Sequence, residues 1–193
     1  MRKLTIITFL SLDGVMQGPS SPEEDPSDNF TQGGWASDYW DETMPHVLKE
    51  AMSVPYDILF GRKTYDVFAS HWPEVESPDP VAKLLNEARK YVFTSSESGL
   101  EWDNSVSLSG DIRTEILNLK SQSGPLIQVH GSGELVQSLL KHKLVDELRL
   151  WTFPVHVGQG KKLFGSDLPR ANYKLKKTEA YSNGVIMSIY EPL

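Results

Sequence analysis

The chain has 193 residues, with 19 Lys and Arg against 26 Asp and Glu, for a net charge of −7. That length suits one domain, residues 1–193, with room for a substantial core, and the negative field disfavours polyanions, so no nucleic-acid partner is expected. There is no cysteine, which removes disulfides, thiolate metal sites and a cysteine nucleophile together.

The N-terminal "MRKLTIITFLSLDG" starts basic, but Thr5, Thr8 and Ser11 interrupt its apolar run and Asp13 follows it. It reads as a first strand, Leu4 to Leu10, not as a signal peptide. "QGPSSPEEDPSDNFTQGG" is the one long loop, and loops of that length in a compact domain are functional more often than incidental. A helix is expected from Glu42 to Met52, a strand from Ile58 to Phe60 and a helix from Lys63 to Ser70. Next come a helix from Asp79 to Asn86, a strand from Lys90 to Thr94 and a strand from Ser105 to Leu108. They are followed by a helix from Ile112 to Lys120, a strand from Leu126 to His130 and a helix from Glu134 to Lys141. Asp79, before Pro80, and Asp111 have the chemistry of helix N-caps. A strand from Glu147 to Pro154 precedes two more, Tyr173 to Tyr181 and Val185 to Glu191, joined by "SNG", which suits a hairpin turn. Alternating strands and helices define an α/β protein, and the terminal hairpin makes its sheet mixed. No stretch approaches the roughly 18 apolar residues of a membrane span, so the expectation is a cytoplasmic protein with no membrane partner.

Three strand-to-helix junctions carry the functional signal. At Gly61-Arg62-Lys63-Thr64 a strand delivers the chain to a glycine, which admits a ligand close to the backbone, and then to a helix start whose free amides favour an anion. Two cations and a hydroxyl add donors; a basic turn with solvated side chains explains these four residues equally well. Thr94, Ser95 and Ser96 place hydroxyls at the carboxyl end of another strand, where open α/β sheets bind ligands. Gly131-Ser132-Gly133 ends a third strand, and the amides of Gly133, Glu134 and Leu135 open the next helix. Val136 stands where a third glycine would complete a dinucleotide fingerprint. Together the three junctions suit a nucleotide with several phosphates.

In order along the chain, "SLDGVMQ", "LFGRKTY", "VFTSS", "VHGSGELVQSLL" and "LVDELRLWTFPVHVGQGKKLF" resemble the dihydrofolate-reductase-like superfamily. Within it, the chain is most similar to the C-terminal reductase domain of the bifunctional riboflavin biosynthesis deaminase/reductase. The resemblance implies a three-layer α/β/α fold with a central mixed, mostly parallel sheet, and an NADPH cofactor. It implies that Gly61, Arg62, Lys63 and Thr64 serve the adenosine-side phosphates. Arg62 or Lys63, with Thr94, Ser95 or Ser96, would recognise a 2′-phosphate, and Gly131, Ser132 and Gly133 would lie along the pyrophosphate and nicotinamide side. Val15 to Gly18 would form a lid, and Asp13 with Gly14 would orient a small-molecule substrate carrying a polar ring or ribityl chain; an Asp-Gly turn after the first strand explains Asp13 equally well. A homodimer is the assembly implied.

Trp72-Pro73 is expected to edge the pocket, with His71 and His46 as polar candidates near it. Dihydrofolate reductases present an acid from the first helix; here "DETMPHVLKEAM" fills that window, bracketed by Glu42 and Glu50. The implied reaction is hydride transfer to a small heterocycle or ribosylaminopyrimidine-like substrate, with a non-catalytic nucleotide-binding protein or a divergent dihydrofolate reductase as alternatives. The histidines show no metal-ligand spacing, so no metal is expected. Glu23, Glu24, Asp25 and Asp28 lack the spacing of a calcium loop and read as solvated; Asp146-Glu147 reads as structural.

Overall fold

The computed structural model describes residues 1–42, 44, 45, 48, 52–75, 79–96 and 98–193. Eight strands form one sheet: β1 Leu4–Leu10, β2 Tyr56–Gly61, β3 Lys90–Phe93, β4 Ser105–Leu108, β5 Leu126–Gly131, β6 Glu147–Thr152, β7 Tyr173–Ala180 and β8 Ile186–Pro192. Their order is β4-β3-β2-β5-β1-β6-β8-β7. Pairing is parallel from β4 through β6 and antiparallel for β6-β8 and β8-β7. The helices are α1 Arg62–His71, α2 Pro80–Glu87, α3 Ile112–Ser121 and α4 Gly133–Lys141. Predicted and observed elements agree to within a residue or two. The exception is the helix expected from Glu42 to Met52, of which 43, 46, 47 and 49–51, including His46 and Glu50, lie outside the described residues.

Strand alternation sorts the core. Leu4, Ile6 and Leu10 of β1, Leu59 of β2 and Ile127 and Val129 of β5 pack with Ile116 and Leu119 of α3 and Leu135, Val136 and Leu139 of α4. The opposite face holds two clusters. One joins Ile58 and Phe60 to Tyr65 of α1, Leu85 of α2 and Trp102. The other joins Ile7, Trp151, Phe153 and Met187 to Phe30, Trp35 and Met44 from the loop region after β1. Each fully buried aliphatic side chain contributes roughly 1.5–3 kcal/mol.

The amino edge of the sheet is locked by charge. Arg2 pairs with Asp57 and donates to the Pro125 carbonyl at 2.7 Å. Lys120 donates to Asp146 at 2.6 Å and to the Leu144 carbonyl at 2.9 Å, while Asp146 also accepts from the Leu4 amide. Glu147 accepts from Arg149 at 2.6 Å, so both members of the Asp146-Glu147 pair are structural. Lys90, wholly buried, donates to the carbonyls of Asn86, Ala88 and Asp103 and lies 4.2 Å from the Trp102 ring centre. Burial pushes its ammonium down to about 8. These partners satisfy the buried cations, which would otherwise be costly.

Tyr56 is an exception on β2, for its hydroxyl is buried with no partner among the described residues. Burial raises its ionisation well above the ordinary phenol range. An unsatisfied buried hydroxyl carries a desolvation cost with no compensating bond. Tyr56→Phe is therefore expected to stabilise the fold by about 1 kcal/mol, read from urea unfolding; a clear loss of stability would show that the hydroxyl is bonded.

Candidate active site

The two junctions at Gly61 and Gly131 meet because β2 and β5 are parallel neighbours, with Leu59 paired to Val129 and Phe60 to Gly131. They interlock sterically. A Cβ on Gly61 would strike the Ser132 side chain and lie 3.0 Å from the Ser132 nitrogen. A Cβ on Gly131, whose φ is +138°, would lie 2.7 Å from Thr64 Oγ1. The Gly131–Ser132 peptide is cis. Only hydrogen fits at either glycine, so the starts of α1 and α4 are held side by side at the carboxyl edge of the sheet.

Capping distinguishes these two helices from the others. Asp79 accepts from the amides of Val81 and Ala82 at the start of α2, and Asp111 accepts from the Thr114 amide at the start of α3. At α1 and α4 the cap residues, Gly61 and Ser132, make no side-chain cap bond. In α4 the Val136 amide reaches Ser132 O at 3.0 Å, leaving Gly133, Glu134 and Leu135 as the amides without an acceptor inside the helix. Two such ends together concentrate partial positive charge where an anion can approach. Leu135 contributes only its backbone, since its side chain is core; Glu134 and Lys63 are exposed.

Arg62 ties the third junction to the first. Its Nε donates to Asp66 at 2.8 Å and its guanidinium to the Ser98 carbonyl at 2.7 Å, so the turn after β3 lies against the start of α1. Within that turn Thr94 Oγ1 donates to the Ser96 carbonyl and accepts from the Ser96 amide, and the Ser96 and Ser98 hydroxyls are 2.7 Å apart. Ser95 and Ser96 are exposed. Thus Gly61, Arg62, Lys63, Thr64, Thr94, Ser95, Ser96, Gly131, Ser132 and Gly133 gather along one edge, from three separate parts of the chain.

The segment expected as a lid lies beside them. A Cβ on Gly133 would be 4.0 Å from both Met16 Sδ and Lys161 Cδ. Val15 bridges to Lys162, and the Met16 amide donates to the Lys161 carbonyl at 2.8 Å. The acidic loop is not a solvated excursion. Lys161 Nζ donates to Asp25 at 2.8 Å and to Ser27 Oγ, Gln17 donates to the Asp25 and Ser27 carbonyls, and the Trp35 indole donates to Gln17 O. Phe30 and Trp35 bury themselves against the sheet, and the long-range Lys161 partnership that holds their loop has no local signature.

Asp13 sits in the Asp-Gly turn after β1, where the Gly14 amide donates to the Ser11 carbonyl at 3.0 Å. Its Oδ1 accepts from the Val157 amide at 3.0 Å and from Ser11 Oγ at 2.8 Å, and its Oδ2 accepts from the Gly158 amide at 3.0 Å. The carboxylate fastens the end of β1 to the loop after β6, with Gly14, at φ +81°, making the turn. Trp72, expected at the pocket edge, is carried away from these junctions by the ten residues of α1, about 15 Å of helix. It packs on Phe68 and His71, and its carbonyl accepts from Asn86 near the amino end of β3.

Three side chains that sequence reasoning passed over stand at the same edge. Ile6 pairs with Val129, so Ile7 and Phe9 of β1 share the opposite face with His130 of β5. The His130 ring is 6.2 Å from Phe60 and 6.0 Å from Phe68 by ring centres, and its Nε2 is 3.2 Å from Gln128 Oε1. Phe9 meets the exposed Trp40 edge to face at 5.9 Å. His130 was legible only as the residue before Gly131, and Trp40 as a lone aromatic in the long loop.

The eight-stranded order β4-β3-β2-β5-β1-β6-β8-β7, closed by antiparallel β6-β8-β7, is a dihydrofolate-reductase-like α/β fold, as the likeness to solved structures shows. Residues 2–187 match the RibD C-terminal domain, and the chain belongs to that family, of the riboflavin-reductase type. It is 33% identical over 196 residues to the uncharacterised protein YyaP of Bacillus subtilis (strain 168), an alignment covering 98% of this chain and 94% of YyaP. A putative riboflavin biosynthesis protein from Shewanella sp. PV-4 has the same fold, with a TM-score of 0.67 at 20% identity over 100% of this chain and 99% of that one. So does dihydrofolate reductase from Enterococcus faecalis complexed with NADP(H) and RAB-propyl, with a TM-score of 0.63 at 12% identity over 98% and 96%.

Two outcomes follow. Gly131→Ala combines the positive φ with the Thr64 contact and is expected to cost about 1–3 kcal/mol or more. Gly110→Ala, at φ +103° with nothing within 4 Å of the added carbon, isolates the backbone cost and is expected to lose less. Equal losses in denaturant melts would remove the interlock from the explanation. The second outcome concerns Asp13, whose pKa is held far below the usual carboxylate value chiefly by the Val157 amide, with Ser11 and Gly158 adding to it. A depressed folded pKa contributes stability that is present above the unfolded value, about 4, and is lost as pH falls toward the folded one. The stability gap between wild type and Asp13→Asn should therefore shrink as pH falls from 7 to 3, and a gap independent of pH would count against this role.

Proposed function

We propose that the chain is an NADPH-dependent reductase that transfers a hydride to a small heterocyclic, ribosylaminopyrimidine-like substrate. The observation that carries the reading is the pair of helix starts at Gly61 and Ser132, held together without side-chain caps, with Arg62 linking them through the Ser98 carbonyl to the turn after β3. Backbone amides from α1 and α4 suit a pyrophosphate. Arg62, Lys63 and the exposed hydroxyls suit the 2′-phosphate that separates NADPH from NADH. The RibD C-terminal domain family and the likeness to a reductase complexed with NADP(H) support this choice.

The nicotinamide supplies the hydride when the cofactor is bound. This chain's residues hold the phosphates, and Met16 and Lys161 beside Gly133 are placed to exclude water from that end of the site. A homodimer in the cytoplasm completes the proposal; among the described residues no helix is long and apolar enough to cross a membrane.

Calorimetric titration tests the cofactor. NADPH should bind at least about tenfold more tightly than NADH, and the double variant Arg62→Ala, Lys63→Ala should weaken NADPH by about 10- to 100-fold while leaving NADH little changed. Failure of wild type to bind NADPH would overturn the reductase reading. NADPH binding without oxidation across a panel of aminopyrimidines and pterins would favour a non-catalytic nucleotide-binding protein.

A further inference from the structure

His130 is a titratable group that the cofactor site does not use. It is the next-to-last residue of β5, immediately before Gly131 and the Gly131–Ser132 turn, on the face shared with Phe9. Phe60 and Phe68 flank its ring, and Gln128, two residues earlier on the same face, holds one nitrogen. With Gln128 Oε1 toward the ring, Nε2 donates to it and Nδ1 is left as the acceptor. Among the described residues Nδ1 has no hydrogen-bond partner. Burial lowers the imidazole to about 4, so it is neutral at pH 7 and does not serve as a proton donor there. A neutral imidazole locked as an acceptor is suited to reading an N–H group.

On the same face of the sheet as His130, Phe9 meets Trp40, which is 46% exposed although it is a large apolar side chain. A planar ring can stack there. We infer that His130 is a specificity-determining residue, whose Nδ1 accepts a hydrogen bond from an N–H of a planar heterocyclic substrate beside the Phe9–Trp40 aromatic pair. This inference rests on the reductase reading for the identity of the site. It adds that the preferred ring must present an N–H donor; a ring with all its nitrogens alkylated would cover that acceptor without pairing it and is rejected.

The test uses the full chain with NADPH present, 5,6-diaminouracil as the donor-bearing probe and 1,3-dimethyluracil as the probe without N–H. Wild type is expected to bind diaminouracil at least about tenfold more tightly than dimethyluracil. His130→Leu should lose that preference by a similar factor. His130→Asn, which keeps an acceptor near the Nδ1 position, should retain binding within about threefold. NADPH affinity should be the same in all three proteins. In wild type, the imidazole Nδ1 resonance should move on adding diaminouracil, a readout that needs no variant to fold.

A wild type that does not discriminate the two probes, an unmoved Nδ1 resonance, or a His130→Leu protein that binds diaminouracil normally each overturns the assignment while leaving the cofactor reading intact. Loss of NADPH binding in the wild type itself strikes the reductase reading instead.

Discussion

The structure depends on two missing side chains. Gly61 and Gly131 end neighbouring parallel strands, and each stands where a methyl group would collide with the other's turn: Gly61 with Ser132, and Gly131 with Thr64. This contact fixes the separation of β2 and β5 at the carboxyl edge and, through it, the placement of α1 and α4, which begin at the next residues. A close approach of backbones also leaves amides with nothing to bond but a ligand or water. The glycines therefore do two things at once, bringing two helix starts together and keeping side chains out of the space before them.

The two edges of the sheet differ in how their polar groups are satisfied. At the amino edge, Arg2, Lys90 and Lys120 are buried with carbonyl or carboxylate partners, and these bonds close the edge against water. At the carboxyl edge polar groups are left available: the starts of α1 and α4, the hydroxyls after β3, and the imidazole of His130. The same chain follows ordinary capping rules where it has no ligand to hold, as Asp79 and Asp111 show. The lack of side-chain caps at Gly61 and Ser132 is thus selective, and consistent with an anion completing those helix ends.

Much of the architecture was legible because it is written locally. Strand alternation, the Asp caps and the "SNG" turn each act within a few residues, and the strands and helices that they predict are found at nearly the same bounds. The three junctions were legible as a set because the parallel order β3-β2-β5 brings their ends to one edge. What the sequence concealed were long-range partnerships. The sequence left Asp13 open between a substrate ligand and a turn, because the Val157 and Gly158 amides that bond its carboxylate lie 144 and 145 residues away. The acidic loop appeared solvated because Lys161, which pairs with Asp25, lies 136 residues away. Trp72 follows a functional motif in sequence, yet the rise of α1 carries it to the other end of the sheet.

His130 shows why a site can be hidden in a motif that is read correctly. The glycines after it draw attention to the backbone, and a histidine at the end of a strand has no pattern of its own. Its meaning comes from register. The Ile6–Val129 pairing places it on the face of Phe9, and Gln128 on that same face fixes which nitrogen carries the proton. The turn proposed to admit the cofactor's phosphates is continuous with the side chain proposed to meet the substrate, so a shift of one residue in β5 register would move both. Cofactor and substrate would then be aligned by a single strand end, and the geometry of hydride transfer would follow from the pairing of β5 with β1 and β2.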